Sequence, residues 1–133
     1  MADLLHGLIW VALGSALGGP ARYFASGFVG RRIGETFPWG TMAVNVSGGF
    51  AIGLFAAAAA AGLLPMPLGW QFAVTGFLGA FTTVSSFSLQ TLALLRDGEL
   101  LQACGNVLLS LVLCLGAAAL GLAAGTGLGG GAG

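Results

Sequence analysis

The chain contains no lysine, a single histidine and four acidic residues, and charged residues make up 6% of its 133 positions. Each scarcity closes off a class of function. Without lysine there is no P-loop, and the glycine doublets sit inside apolar runs rather than between a strand and a helix. Neither a nucleotide nor a nucleic-acid partner is expected. His6 stands alone, and Asp3, Glu35, Asp97 and Glu99 all fall at a terminus or in a loop. No nucleophile therefore has a partner base, and an enzyme is not expected. The two cysteines, Cys104 and Cys114, lie ten residues apart on one predicted helix, too far along its axis to bridge each other. They read as small hydrophobes.

What the chain does have is apolar length. Hydrophobic residues make up 57% of it and its mean hydropathy is +0.99, which leaves too little polar surface to cover a soluble domain. Four apolar segments, about residues 4–26, 39–62, 69–95 and 100–124, each approach the length that spans a bilayer as a helix. Charge and proline separate them: Arg31, Arg32 and Glu35 before Pro38, then Pro65 and Pro67, then Arg96-Asp97-Gly98-Glu99. The fold class expected is an all-α, multi-pass membrane protein in which residues 1–124 form one four-helix transmembrane domain. Trp10, Trp39 and Trp70 lie at or near span ends, as interfacial anchors do. The first span lacks the basic start of a signal peptide and is longer than a secretory apolar core, so it reads as retained. The tail 125–133 is mostly glycine and is expected to be disordered. Arg31, Arg32 and Arg96 fall in the first and third loops, which the positive-inside rule places in the cytoplasm. A bundle this small has too few polar residues to line a conduit alone, so oligomerisation is expected. Gly14-xxx-Gly18, Gly49-xxx-Gly53 and Gly121-xxx-Gly125 offer faces for close helix packing.

Two polar strings interrupt the apolar pattern: Gly40-Thr-Met-Ala-Val-Asn45-Val-Ser-Gly-Gly-Phe50 and Gly76-Phe-Leu-Gly-Ala-Phe81-Thr-Thr-Val-Ser-Ser-Phe-Ser88. Polar side chains at membrane depth mark functional sites. Thr82, Thr83, Val84, Ser85 and Ser86 are poor helix material, so the third helix is expected to break near its middle. Non-helical backbone survives in a bilayer only where protein or a water-filled cavity buries it, so such a break implies a site or a pore. The intramembrane polar set also includes Arg22, Thr41, Asn45, Ser47, Gln90, Asn106 and Ser110, and it holds no carboxylate. Neutral donors with one arginine suit an anion shedding its water, and phenylalanine ring edges beside them can face an anion too. Phe81 and Phe87 are the candidate rings. Asn106 and Ser110, one turn apart, share a face of the fourth span.

These residues carry a resemblance. The strings Gly14-Ser-Ala-Leu-Gly18-Gly-Pro-Ala-Arg22-Tyr23, Gly40-Thr-Met-Ala-Val-Asn45 and Gly76-Phe-Leu-Gly79 running into Thr82-Thr83 occur in order, and over nearly its whole length the chain resembles the Fluc/CrcB fluoride channels. The resemblance implies an antiparallel, dual-topology dimer of four-helix subunits in the bacterial inner membrane. It implies a passive, fluoride-specific leak that protects the cell, and a structural sodium ion at the dimer centre. Carried over by position, the backbone carbonyls of Gly79 and Thr82 would hold the sodium. Asn45, Phe87, Ser110, Thr83, Ser86, Thr41, Arg22 and Gln90 would line or flank the ion path. The partners implied are fluoride, the lipid bilayer and a second subunit.

Two departures from the family pattern Thr-Thr-Phe-Ser-Thr-Phe-Ser-x-Glu carry weight, Val84 for the first phenylalanine and Gln90 for the glutamate. Val84 removes a ring edge, and Gln90 removes a carboxylate while still forming hydrogen bonds. A second reading follows, in which the chain is one half of a paired heterodimer with one degraded pore. Other classes stay open on the residues alone. A proton-coupled exporter of the small multidrug type needs an intramembrane carboxylate that this chain lacks. In a structural membrane protein the polar residues would only bind helix to helix.

Overall fold

The computed structural model describes residues 2–34 and 36–130, and every regular element in it is helical. Among the described residues, four stretches are long and apolar enough to cross a membrane: Ala2–Ile33, Trp39–Ala60, Leu68–Arg96 and Leu100–Gly127. The protein is a multi-pass membrane protein by that measure. Helix is what lipid imposes, because each backbone N–H and C=O must find its partner within the segment.

Helix α1 (Ala2–Ile33) runs past the expected end at residue 26. Its last turn holds Arg31 and Arg32, good helix formers placed where the negative end of the helix favours cations. Helix α2 spans Trp39–Ala60. The third span is composite: α3 (Leu68–Trp70), a π-helical run over Gln71–Leu78, α4 (Gly79–Phe81) and α5 (Ser85–Arg96). Between α4 and α5, Thr82 is extended, with φ −85° and ψ 159°. Helix α6 (Leu100–Gly130) corrects the expected disordered tail. Residues 125–130 continue the helix, and a Cβ on Gly125 would meet Ala57 at 2.5 Å, so the glycine is seated against α2. With no proline after Pro67, only the low helix propensity of glycine opposes the ladder there. Residues 131–133 lie outside the described residues.

The packing order explains why the third span is composite. Its first half packs on α1, while α5 packs on α6. Helix α2 sits between, in contact with α1 and along α6. The span therefore changes partners part-way, where its helix lapses between α4 and α5.

The small-residue pairs set these contacts. A Cβ on Gly14 would meet the Phe72 carbonyl oxygen, and one on Gly18 the Phe77 carbonyl oxygen. Across the other seam, Gly53 lies against the Ala118 carbonyl, and Gly121 against the Phe50 carbonyl. All three predicted pairs are real contacts, since Gly49 also lies 3.1 Å from the Cys114 carbonyl by the same measure. Backbone against backbone cannot yield as a flexible side chain can.

Gly18→Ala is accordingly expected to cost about 1–3 kcal/mol through overpacking, seen as a lower Tm in detergent. Gly19, whose Cβ would meet nothing within 4 Å, is the control. Gly19→Ala should leave Tm unchanged or raise it, because alanine is the better helix former.

Candidate functional site

The extended residue at the α4–α5 junction removes backbone groups from the helical ladder, and Asn45 of α2 takes up both backbone groups of Thr83. The Thr83 N–H donates to Asn45 Oδ1 at 2.7 Å, and Asn45 Nδ2 donates to the Thr83 carbonyl at 2.9 Å. The amide thus pairs with the peptide as one strand would with another. One N–H of the Asn45 amide remains free of that pair. Thr83 itself is 8% exposed, and its hydroxyl accepts the Ser86 N–H at 3.1 Å, satisfying one of the donors orphaned where α5 begins.

Beside this junction lies a cleft of about 250 Å³. Asn45, Thr83, Val84, Phe87 and Ser110 line it, with Val107 and Leu111 of α6 on the far wall. Four of the eight residues expected on the ion path therefore meet in one place. Val84 stands at the mouth, 77% exposed.

Two more of the eight occupy a second cavity, of about 370 Å³, at the end of the bundle where α1 gives way to α2. It is lined by Ser26, Gly30, Trp39, Thr41 and Gln90 among others. Thr41 precedes Asn45 by one turn of α2, and Gln90 follows Phe87 by nearly one turn of α5, so the two cavities follow each other along the same pair of helices. The Gln90 Oε1 is buried without a hydrogen-bond partner among the described residues. The remaining two do not join either cavity. Arg22 is half-buried on α1, one turn before Ser26, and Ser86 is half-buried on α5. Phe81 also lies elsewhere, stacked on Phe77 with ring centroids 5.8 Å apart.

The junction leaves acceptors as well as donors. In an unbroken helix the Gly79 carbonyl would receive the Thr83 N–H and the Thr82 carbonyl the Ser86 N–H. Asn45 and the Thr83 hydroxyl hold those donors instead. Among the described residues, the carbonyls from Gly79 to Thr82 receive no hydrogen bond. Unpartnered neutral oxygens suit a hard cation, so Gly79 and Thr82 fit a sodium ion chemically. Gly79 is open on its Cβ side, with only the Val74 carbonyl within 4 Å.

The sequence places Asn106 beside Ser110 on the polar face of the fourth span but not on the ion path, and it gives Thr91 no place. Asn106 is 2% exposed and donates through Nδ2 to Thr91 Oγ1 at 2.9 Å, and Ser110 Oγ donates to Asn106 Oδ1 at 3.4 Å. A mid-span amide was the available signal for Asn106. Thr91 gave none, because a helical threonine bonding its own turn looks the same in sequence.

Residues 9–122 match the family described as "CrcB-like protein, Camphor Resistance (CrcB)". The chain belongs to the CrcB family. Among its CrcB relatives is "Fluoride-specific ion channel FluC 2" of Rhodopseudomonas palustris (strain BisB18), 64% identical over 93% of this chain and 96% of the relative. The protein of the same name from Bradyrhizobium diazoefficiens is 57% identical over 96% of this chain and 94% of its own. "Fluoride-specific ion channel FluC" of Opitutus terrae is 55% identical over 90% and 92%. These CrcB relatives are named as ion channels, and none of the three as an enzyme.

Asn45→Ala should release the Thr83 peptide and cost about 1–3 kcal/mol, the penalty for leaving a desolvated backbone group unpaired. Hydrogen exchange checks this directly: the Thr83 amide is expected to exchange faster in the variant, while amides of α6 far from the junction keep their protection.

Proposed function

We propose that this chain is a subunit of a fluoride-specific ion channel that lets fluoride leave the cell passively, lowering cytoplasmic fluoride and protecting a bacterium from its toxicity. The observation that carries the reading is the cleft where Asn45, Thr83, Phe87 and Ser110 converge, in a chain of this family. An anion leaving water needs donors and positive edges in place of its hydration shell. The free Asn45 N–H, the Ser110 and Thr83 hydroxyls and the Phe87 ring edge are the groups on offer. Thr41 and Gln90 extend the track toward the wider cavity, and Arg22 stands nearer that end of α1 as a long-range attraction for anions. Chloride is larger and more weakly hydrated, and it gains less from short contacts. Movement is passive in this reading, because the one carboxylate in the described spans, Asp3, sits in the first turn of α1 and does not line the cleft.

A second copy completes the pore in this reading. Thr75, Ser47, Ser85 and Ser88 are exposed on the single subunit at membrane depth, where lipid offers polar groups nothing. An antiparallel partner, in the inner membrane of a bacterium, would cover them and close the cleft. The freed carbonyls of Gly79 and Thr82 would hold a structural sodium ion, whose charge would fix the two junctions against each other. A paired homologue as partner is the second reading. Val84 at the mouth of the cleft supports it, as does the placing of three of the four arginines, Arg31, Arg32 and Arg96, in the last turns of α1 and α5.

The reading is tested with purified protein in liposomes, using a fluoride electrode and a chloride control. Fast fluoride efflux with no chloride efflux is expected. Phe87→Leu should slow it on the order of tenfold, about 1.4 kcal/mol of barrier, with the oligomer intact. Silence from a folded sample, cured by adding a homologous chain, would favour the paired form. Exchanging sodium for a large organic cation is expected to lower the Tm of the assembly.

A further inference from the structure

The cleft is backed by a chain of hydrogen bonds whose direction is fixed at one end. The Phe87 carbonyl can only accept, so the Thr91 hydroxyl donates to it, at 2.8 Å. That uses the one proton Thr91 has. Its oxygen can then only accept from Asn106, at 2.9 Å, which turns the NH₂ of Asn106 toward α5 and its Oδ1 toward Ser110. Oδ1 carries no proton, so Ser110 must donate to it, at 3.4 Å. Every proton in the series therefore points from α6 toward the Phe87 carbonyl. Ser110 is at the cleft wall but presents lone pairs to it rather than its O–H.

That orientation is wrong for an anion. On the reading of the cleft as the ion path, we propose that Asn106 is a positioning residue that holds the Ser110 proton back from the cleft, so that fluoride takes it only in competition with Asn106. The bond is long, and it is the weakest member of the series by distance, so it is the one that yields. When it yields, Oδ1 of Asn106 is left without a donor at 2% exposure, where no water replaces Ser110. The cost pulls the proton back and loosens the ion. Conduction needs an ion held firmly enough to enter and weakly enough to leave. Asn106 supplies the second half of that requirement without touching the ion.

The concentration dependence of fluoride efflux from liposomes tests this. Asn106→Leu frees the Ser110 proton, and the half-saturating fluoride concentration should fall about threefold, the worth of one weak hydrogen bond. A merely structural role would move it up or abolish efflux. Thr91→Val reaches the same state differently: Asn106 loses the acceptor that fixes it and can turn its NH₂ to Ser110, so the same fall is expected. Thr91→Ser keeps the hydroxyl and should match the wild type. In a Ser110→Ala background neither Asn106→Leu nor Thr91→Val should shift the value. If Asn106→Leu does not fold, Thr91→Val carries the same expectation. A rise or no change in a folded variant, or a fall that persists in Ser110→Ala, overturns the proposal while wild-type efflux leaves the channel reading standing. A wild type without fluoride efflux, alone or with a homologous partner, overturns both.

Discussion

The pairing of the Asn45 amide with the Thr83 peptide is the constraint on which the rest of the fold depends. A membrane interior offers no water to a freed backbone group, so a helix that lapses at Thr82 needs a side chain to take the ladder's place. Asn45 does so for both backbone groups of Thr83, accepting from its N–H and donating to its carbonyl within 3 Å. Moving it by one residue on α2 would turn it about 100° around the helix and leave Thr83 unpaired. The position of one amide thereby fixes the rotation of α2 relative to the third span.

The same pairing creates the chemistry. By diverting the Thr83 N–H, Asn45 strips the Gly79 carbonyl of its donor, and the Thr83 hydroxyl does likewise for the Thr82 carbonyl. Acceptors are gathered on the α4 side of the junction. Donors and a ring edge are gathered on the α5 side, where the cleft lies. One break thus separates acceptors from donors by partition of backbone polarity rather than by charged residues.

Glycine provides the rigid frame around that break. The seams of Gly14 and Gly18 with Phe72 and Phe77, and of Gly53 and Gly121 with Ala118 and Phe50, press backbone on backbone. Lipid gives helices no hydrophobic reason to associate, so close packing has to supply the attraction. One seam joins α1 to the first half of the third span and the other joins α2 to α6, while α5 packs on α6 beside the cleft between Asn45 and Ser110.

Membrane class, four spans and the glycine faces were legible in the sequence, as was the family, because apolar length and residue spacing are written along the chain. Asn45, Thr83, Phe87 and Ser110 were legible as a set through their polarity and resemblance. Arg22 and Ser86 belonged to the same set and lie outside both cavities, since polarity says that a residue needs a partner but not which one. The π-helical run and the helical stretch 125–130 had no local signal: glycine propensity argued against the latter, and seating Gly125 beside Ala57 outweighed it. What only the tertiary structure decided is which faces meet. The direction of the Phe87–Thr91–Asn106–Ser110 protons depends on the rotation of α6 against α5. Contacts between residues as distant in the chain as Gly53 and Ala118 set such rotations, and no local pattern carries that information.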